Sequence, residues 1–135
     1  MRRIVYISRA VQPFTDRDMV NLCQQVNVNN RKQGISGLLL FDGVQFCQAI
    51  EGDQTVIGHL IERVRRDSRH THLSFCFDQN VRSRQFKEWR SDMLLSELGP
   101  SKFFEHVAAE VKHVRNADLR ALFIGFASLS KDHHA

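Results

Sequence analysis

Asp42-Gly43 falls between two apolar runs, Ile35 to Phe41 (ISGLLLF) and Val44 to Glu51 (VQFCQAIE). An Asp-Gly pair in that setting is the strongest short-range sign of a β-hairpin, because the pair tolerates the positive φ angles a tight turn requires. The hairpin organises what surrounds it. Ile4 to Ser8 (IVYIS) is β-branched and aromatic and apolar on both faces, the pattern of a central strand covered on two sides. Thr15 with Asp18 three residues on predicts a helix N-cap, and Met19, Leu22, Cys23 and Val26 follow at helical spacing. That helix runs from about 15 to 32 and Gly34 ends it. Beyond the hairpin, Asp53 can cap a second helix whose Val56, Ile57, Leu60, Ile61 and Val64 form a wide apolar stripe. His72 to Phe77 and Phe86 to Leu95 read as further strands.

The order strand, helix, strand, strand, helix, strand is the split βαβ arrangement. It predicts an α+β, ferredoxin-like fold: a five-stranded mixed sheet with both helices on one face. After Gly99-Pro100 the residues Phe103, Phe104, Val107, Ala108 and Val111, then Leu119, Leu122, Phe123 and Phe126, recur at helical spacing. Two such helices need an apolar surface, and the open face of the sheet is the nearest. We therefore expect a core over 1–97, a helical appendage of the same domain over 98–130, and a frayed tail over 131–135.

At 135 residues the chain has enough polypeptide for one domain, and 42% hydrophobic with 25% charged residues is the balance of a chain that folds. No wholly apolar run approaches the ~20 residues that cross a bilayer, so membrane insertion is not expected. Met1-Arg2-Arg3 leads directly into a strand with no apolar export segment, which points to the cytoplasm. Cys23, Cys47 and Cys76 show no CxxC spacing and are expected as buried thiols, not as a disulfide or zinc framework. The net charge of +4 permits an acidic partner, but the basic residues are spread along the chain and nucleic-acid binding is not expected. There is no phosphate-binding glycine loop, no GxSxG and no HExxH, and His133-His134 reads as a tail doublet, so an enzyme is not expected either. An acylphosphatase-like hydrolase would need a backbone-amide cradle after the first strand, and the segment SRAVQP at 8–13 lacks glycine.

Three sets of polar residues sit where the pattern calls for apolar ones. Alternation groups Val44, Phe46, Gln48 and Ile50 on one face of the third strand and Ile4, Tyr6 and Ser8 on one face of the first. A phenol and an amide then meet in the core, where each polar group left without a partner costs roughly 1–3 kcal/mol. They can satisfy each other or backbone, or a ligand can complete them. Asn29 and Asn30 stand where helix formers are expected, which fits a helix terminus or a pair of amides at the mouth of a cleft. Arg63, Asp67 and His70 stand at i, i+4 and i+7, on one stripe of the second helix. They form either a solvated ion pair or an arginine held ready for a carbonyl or phosphate.

The run YIS at 6–8, the segment NNRKQGISGLL at 29–39, FCQAIEG at 46–52, DSRH at 67–70 and FKEW at 86–89 together resemble a BLUF domain, a blue-light receptor that holds FAD noncovalently. The resemblance covers roughly residues 2–95, with the motifs in the family's order, and it implies flavin between the two helices on one face. By position, Tyr6 matches the tyrosine that gives an electron and proton to the photoexcited flavin. Gln48 matches the glutamine whose hydrogen bonds rearrange in the signalling state. Asn30, with Asn29 beside it, matches the asparagine on the flavin's carbonyl edge. Arg63, Asp67, Arg69 and His70 match the group around the ring and its polar rim, and Trp89 the tryptophan of the last strand. Ser36 replaces the commoner threonine, and Ser91 stands where the family usually has methionine. Met93 lies two residues further on, on the same face in a regular strand. Trp89, Ser91 and Met93 are thus the expected relay toward the C-terminal helices. With no room in 135 residues for an attached enzymatic domain, the resemblance implies a short stand-alone receptor that signals to an unidentified protein partner or a further copy of itself as a homo-oligomer. A flavin-binding protein without light signalling is the alternative.

Overall fold

A computed structural model describes residues 1–13, 15–94 and 99–134. Strands β1 (Arg2–Ala10), β2 (Ser36–Phe41), β3 (Gln45–Gly52), β4 (His70–Asn80) and β5 (Trp89–Leu94) form one sheet in the order β4-β1-β3-β2-β5. The first four are antiparallel to their neighbours, while β5 runs parallel to β2 at the edge. Helices α1 (Asp16–Lys32) and α2 (Gln54–Arg66) connect β1 to β2 and β3 to β4, and α3 (Pro100–Val111) and α4 (Ala117–His134) follow the sheet.

Local chemistry sets these boundaries. The Thr15 hydroxyl accepts from the Asp18 amide while the Asp18 carboxylate accepts from the Thr15 amide, a reciprocal capping box that starts α1. Gly34, at φ 69°, turns the chain out of α1. In the hairpin, Asp42 Oδ1 accepts from the amides of Val44 and Gln45, and Gly43 takes φ 96°. The turn is therefore centred on Gly43-Val44, and Val44 is exposed in it, not on the inward face of β3 where alternation put it. Asp53 Oδ1 accepts from Thr55 and Val56 and starts α2.

The sheet separates two apolar clusters. Ile4, Tyr6, Met19, Leu39, Ile50, Ile57, Ile61 and Trp89 pack on the α1/α2 side. Val5, Leu38, Leu40, Cys47, Ala49, Phe103, Val107, Phe123 and Ala127 pack on the α3/α4 side. Phe103, Phe123 and Phe126 are buried in this second cluster, with Phe104 and Leu122 partly buried, so the apolar stripes of α3 and α4 cover that face of the sheet. None of the described helices is long and apolar enough to cross a membrane.

Several expectations need correction. The helix α4 continues to His134, through the stretch expected as a tail. β4 begins at His70, so His70 is not on the stripe of α2, and Asp67 is the C-cap of that helix. β5 begins at Trp89, leaving Phe86 in the preceding loop, although buried there; Leu95, the expected strand end, lies outside the described residues. Cys23 and Cys47 are buried, but Cys76 is exposed on the edge strand β4.

Candidate functional site

Tyr6 and Gln48 are paired across β1 and β3, and the inward side of that pair faces the space between α1 and α2. The Tyr6 hydroxyl donates a hydrogen bond to Gln48 Oε1. Both side chains are buried, and they form part of the wall of a cleft of about 350 Å3, within the range of small-molecule sites. Burial holds the Tyr6 phenol well above its usual pKa, and the negative charge of Asp67 adds to this, so the proton stays on the ring oxygen.

Leu22 and Val26 from α1 and Leu60 and Val64 from α2 supply the apolar walls. Each is only partly buried, although packed against the α1/α2 cluster. Ile57 and Ile61, from the same stripe of α2, do not line the cleft and are fully packed core.

The polar part of the lining comes from both helices and the turn into β4. Asn30 is 3% exposed, and its Nδ2 finds no partner among the described residues. Asn29, one residue earlier, is exposed at the rim. Arg63 also borders the cleft, but it is Arg69 that holds Asp67: Arg69 Nε donates to Asp67 Oδ1 at 2.9 Å and Nη2 to Oδ2 at 2.5 Å. The Arg69 amide adds a third bond to Oδ1, closing a tight turn between α2 and β4. These bonds hold the Asp67 carboxyl below its ordinary range, the side-chain bond from Arg69 being the main cause. The sequence spacing favoured Arg63 as the partner because it assumed that α2 continued through Asp67. Beside them His70 Nε2 donates to the Val64 carbonyl at 2.8 Å, and its ring lies 6.5 Å from that of Tyr6.

The site therefore unites Tyr6, Asn29, Asn30, Gln48, Arg63, Asp67, Arg69 and His70. Ser8, Gln25, Leu39 and Phe46 also line it and were not singled out as ligand contacts. Two of them were accessible from the pattern: Ser8 is on the face of Tyr6, and Gln25 is one helical turn before Asn29. The Ser8 hydroxyl is buried without a partner among the described residues, as is the Trp89 indole nitrogen in the same apolar cluster.

The last strand differs from expectation. Trp89 pairs with Gly37 and Arg90 with Leu38, but Met93 pairs with Leu40, so β5 carries an extra residue between those pairs. This bulge moves Met93 out of the register of Trp89 and into that of Leu40, a residue of the α3/α4 cluster. The side chains of Ser91 and Met93 lie outside those described.

The sequence and the fold match a known class. Residues 1–92 match the family model BLUF, "Sensors of blue-light using FAD", and the chain belongs to that family. Among curated relatives, the photoactivated adenylate cyclase subunit beta of Euglena gracilis is 30% identical over 96 residues, which is 70% of this chain and 11% of that protein. The chain thus spans about a tenth of the length of the curated relatives it matches. Among solved structures, the dark state of the BLUF protein BlrB superposes with a TM-score of 0.66 at 25% identity, covering 95% of this chain and 96% of that one. Klebsiella pneumoniae BlrP1, solved as a manganese and cyclic-diGMP complex, gives a TM-score of 0.74 at 23% identity, covering 94% of this chain and 32% of that one.

Family membership makes this a flavin-binding blue-light sensor domain, and such domains are sensors, not enzymes in themselves. The side chains present suit a flavin. Its ring has an apolar end and a polar imide end, and the cleft wall carries side chains of both kinds. Partly buried Leu22, Val26 and Leu60 have apolar area left to cover, while Asn30 Nδ2 and Ser8 Oγ are buried polar groups still in need of partners.

Proposed function

We propose that this chain is a cytoplasmic blue-light receptor for which FAD is the flavin, with Tyr6 and Gln48 as the switch. The observation that carries this reading is the hydrogen bond from the Tyr6 phenol to the Gln48 amide on the wall of the cleft. A primary amide both donates and accepts, so Gln48 can satisfy a phenol and a ligand edge in more than one arrangement of similar energy. Near-degenerate arrangements are what a small local event can repopulate. Tyr6 is the only tyrosine of the chain, and its raised pKa keeps it a proton donor at neutral pH. Bound flavin would supply the blue absorption and, once excited, the acceptor for an electron and a proton.

In this reading Asn30, Asn29 and Gln48 hold the polar edge of the ring. Arg63, Asp67, Arg69 and His70 close the rim, with Asp67 fixing the fork of Arg69 so that its outer face is oriented. Output passes from Gln48 through β5, where Trp89, Ser91 and Met93 lie, to α3 and α4 and so to a protein partner or a second copy of the chain. The register supports this path, since the bulge carries β5 from pairing with Gly37 at Trp89 to pairing with Leu40 at Met93. A flavin holder without light output is the second reading, favoured by Ser91 at the usual methionine position.

The test is absorption spectroscopy of the purified protein. A yellow preparation whose flavin bands shift red under blue light and recover in darkness is the expected result. Tyr6→Phe and Gln48→Leu should each keep the flavin and lose that reversible shift. An unchanged shift in either variant refutes the assigned roles, and bound flavin with no shift in the wild type selects the second reading.

A further inference from the structure

The loop of residues 81–88, between β4 and β5, is fastened to the sheet by one buried carboxylate. Glu51, on β3 three residues after Gln48, is 0% exposed. Its carboxylate accepts from Arg3 Nε at 2.7 Å, from the Gln85 amide at 2.9 Å and from the Phe86 amide at 2.9 Å. Arg84 reinforces the same corner, donating to the Ser36 hydroxyl at 2.7 Å and the Gly34 carbonyl at 2.9 Å.

Gln85 faces both ways. While its amide nitrogen donates to Glu51, its side-chain Oε1 accepts from the amides of Arg115 at 2.7 Å and Asn116 at 3.3 Å. Those two amides belong to the turn between α3 and α4. In that turn Asn116 Oδ1 caps α4 by accepting from Leu119, and Arg120 donates to the Val114 carbonyl at 2.7 Å. The neighbouring Phe86 sets its ring edge-on to Phe123 of α4, centroids 6.0 Å apart. A single loop residue thus joins the strand that carries Gln48 to the turn that positions both C-terminal helices.

We propose that Gln85 is a positioning residue for output: it transmits displacement of β3 to the α3–α4 turn through the Glu51 carboxylate, by a route separate from β5. This rests on the receptor reading above. Charge-assisted bonds to Glu51 make the inner half of the link stiff, while the outer half is a neutral amide acceptor that can be removed without emptying the core. Gln85 does not border the cleft, so its side chain can be changed with the flavin contacts left in place.

The experiment is amide hydrogen exchange of the flavin-loaded full chain in light and in darkness, read beside the absorption shift. In Gln85→Ala the red shift should match the wild type. Exchange at Arg115 and Asn116 should rise about tenfold in darkness, as loss of one hydrogen bond implies. The light-minus-dark difference across α3 and α4 should be lost. Gln85→Glu keeps the acceptor and should restore both. If Gln85→Ala retains the wild-type exchange difference, the link carries no signal and the proposal fails while the receptor reading stands. If Gln85→Ala loses the red shift, or Gln85→Glu fails to restore the exchange difference, the assigned route is equally wrong. A wild type with flavin and no red shift overturns the receptor reading itself, and this proposal with it.

Discussion

Gln48 and Glu51 lie three residues apart on β3, both buried and both polar, yet their surroundings are built on opposite terms. Around Glu51 the polar groups are matched: an arginine, two backbone amides and a serine hydroxyl converge on one carboxylate. Around Gln48 they are not. The described side chains with a buried polar atom lacking any partner are Ser8, Asn30 and Trp89, and all three lie on the α1/α2 side, two of them lining the cleft. A fully bonded cluster is rigid and complete, whereas unmatched donors on the wall of a half-covered cleft are left available to a ligand. The difference separates scaffold from site within one strand.

The largest effect should come from breaking the complete cluster. Glu51→Ala would leave the Arg3 guanidinium, 5% exposed, without its counter-charge and release two amides of the 81–88 loop. Removing one partner of a buried ion pair costs about 3–5 kcal/mol. Urea unfolding should show that loss with or without flavin. A loss below about 1 kcal/mol would mean that water reaches this corner and that the carboxylate is not the anchor described.

Asn30→Leu should give the opposite signature and is the sharper test of the contrast. In the protein without ligand, replacing an unpartnered buried amide in a helix with a good helix former should leave stability unchanged or raise it. With flavin the same change removes a donor to the polar edge and should weaken binding by about 1–3 kcal/mol, roughly ten- to a hundredfold in Kd. Fluorescence titration and thermal melts on one preparation measure both signs. If binding is unchanged, Asn30 belongs to the scaffold.

The same division explains what the sequence could reveal. Features fixed by neighbours along the chain were legible: the Thr15/Asp18 capping box, Gly34 at the end of α1, the turn at Asp42 and the Asp53 cap all depend on contacts within a few residues. Tyr6, Gln48 and Asn30 were legible as misfits, polar residues in apolar stripes. The Glu51 cluster was not, since its partners Arg3 and Gln85 are 48 and 34 residues away and simple alternation says nothing of them. The Asp67–Arg69 pair was missed for a different reason: helical spacing was extended one turn beyond the point where α2 ends, at Arg66. The β5 bulge and the β4 irregularity, with His72 at φ 53°, likewise follow from pairing across the sheet and leave no local mark.

The smallest effect is expected at the rim. Asp67 is held below its ordinary pKa chiefly by the Arg69 side chain, so its contribution to stability has a defined sign with pH. The folded state binds the proton less readily than the unfolded one. The contribution is therefore present above the ordinary carboxylate value of about 4 and disappears as pH falls through the lowered folded value. Because the pair is half open to solvent, with side-chain exposures of 49% and 27%, it should amount to under about 1 kcal/mol. Asp67→Asn should accordingly be slightly less stable than wild type at neutral pH, with the two urea midpoints converging as pH drops below about 4. Were the Asp67→Asn gap to persist unchanged in acid, the rim pair would be as enclosed as the Glu51 corner, and the distinction between an open site and a closed scaffold would not hold there.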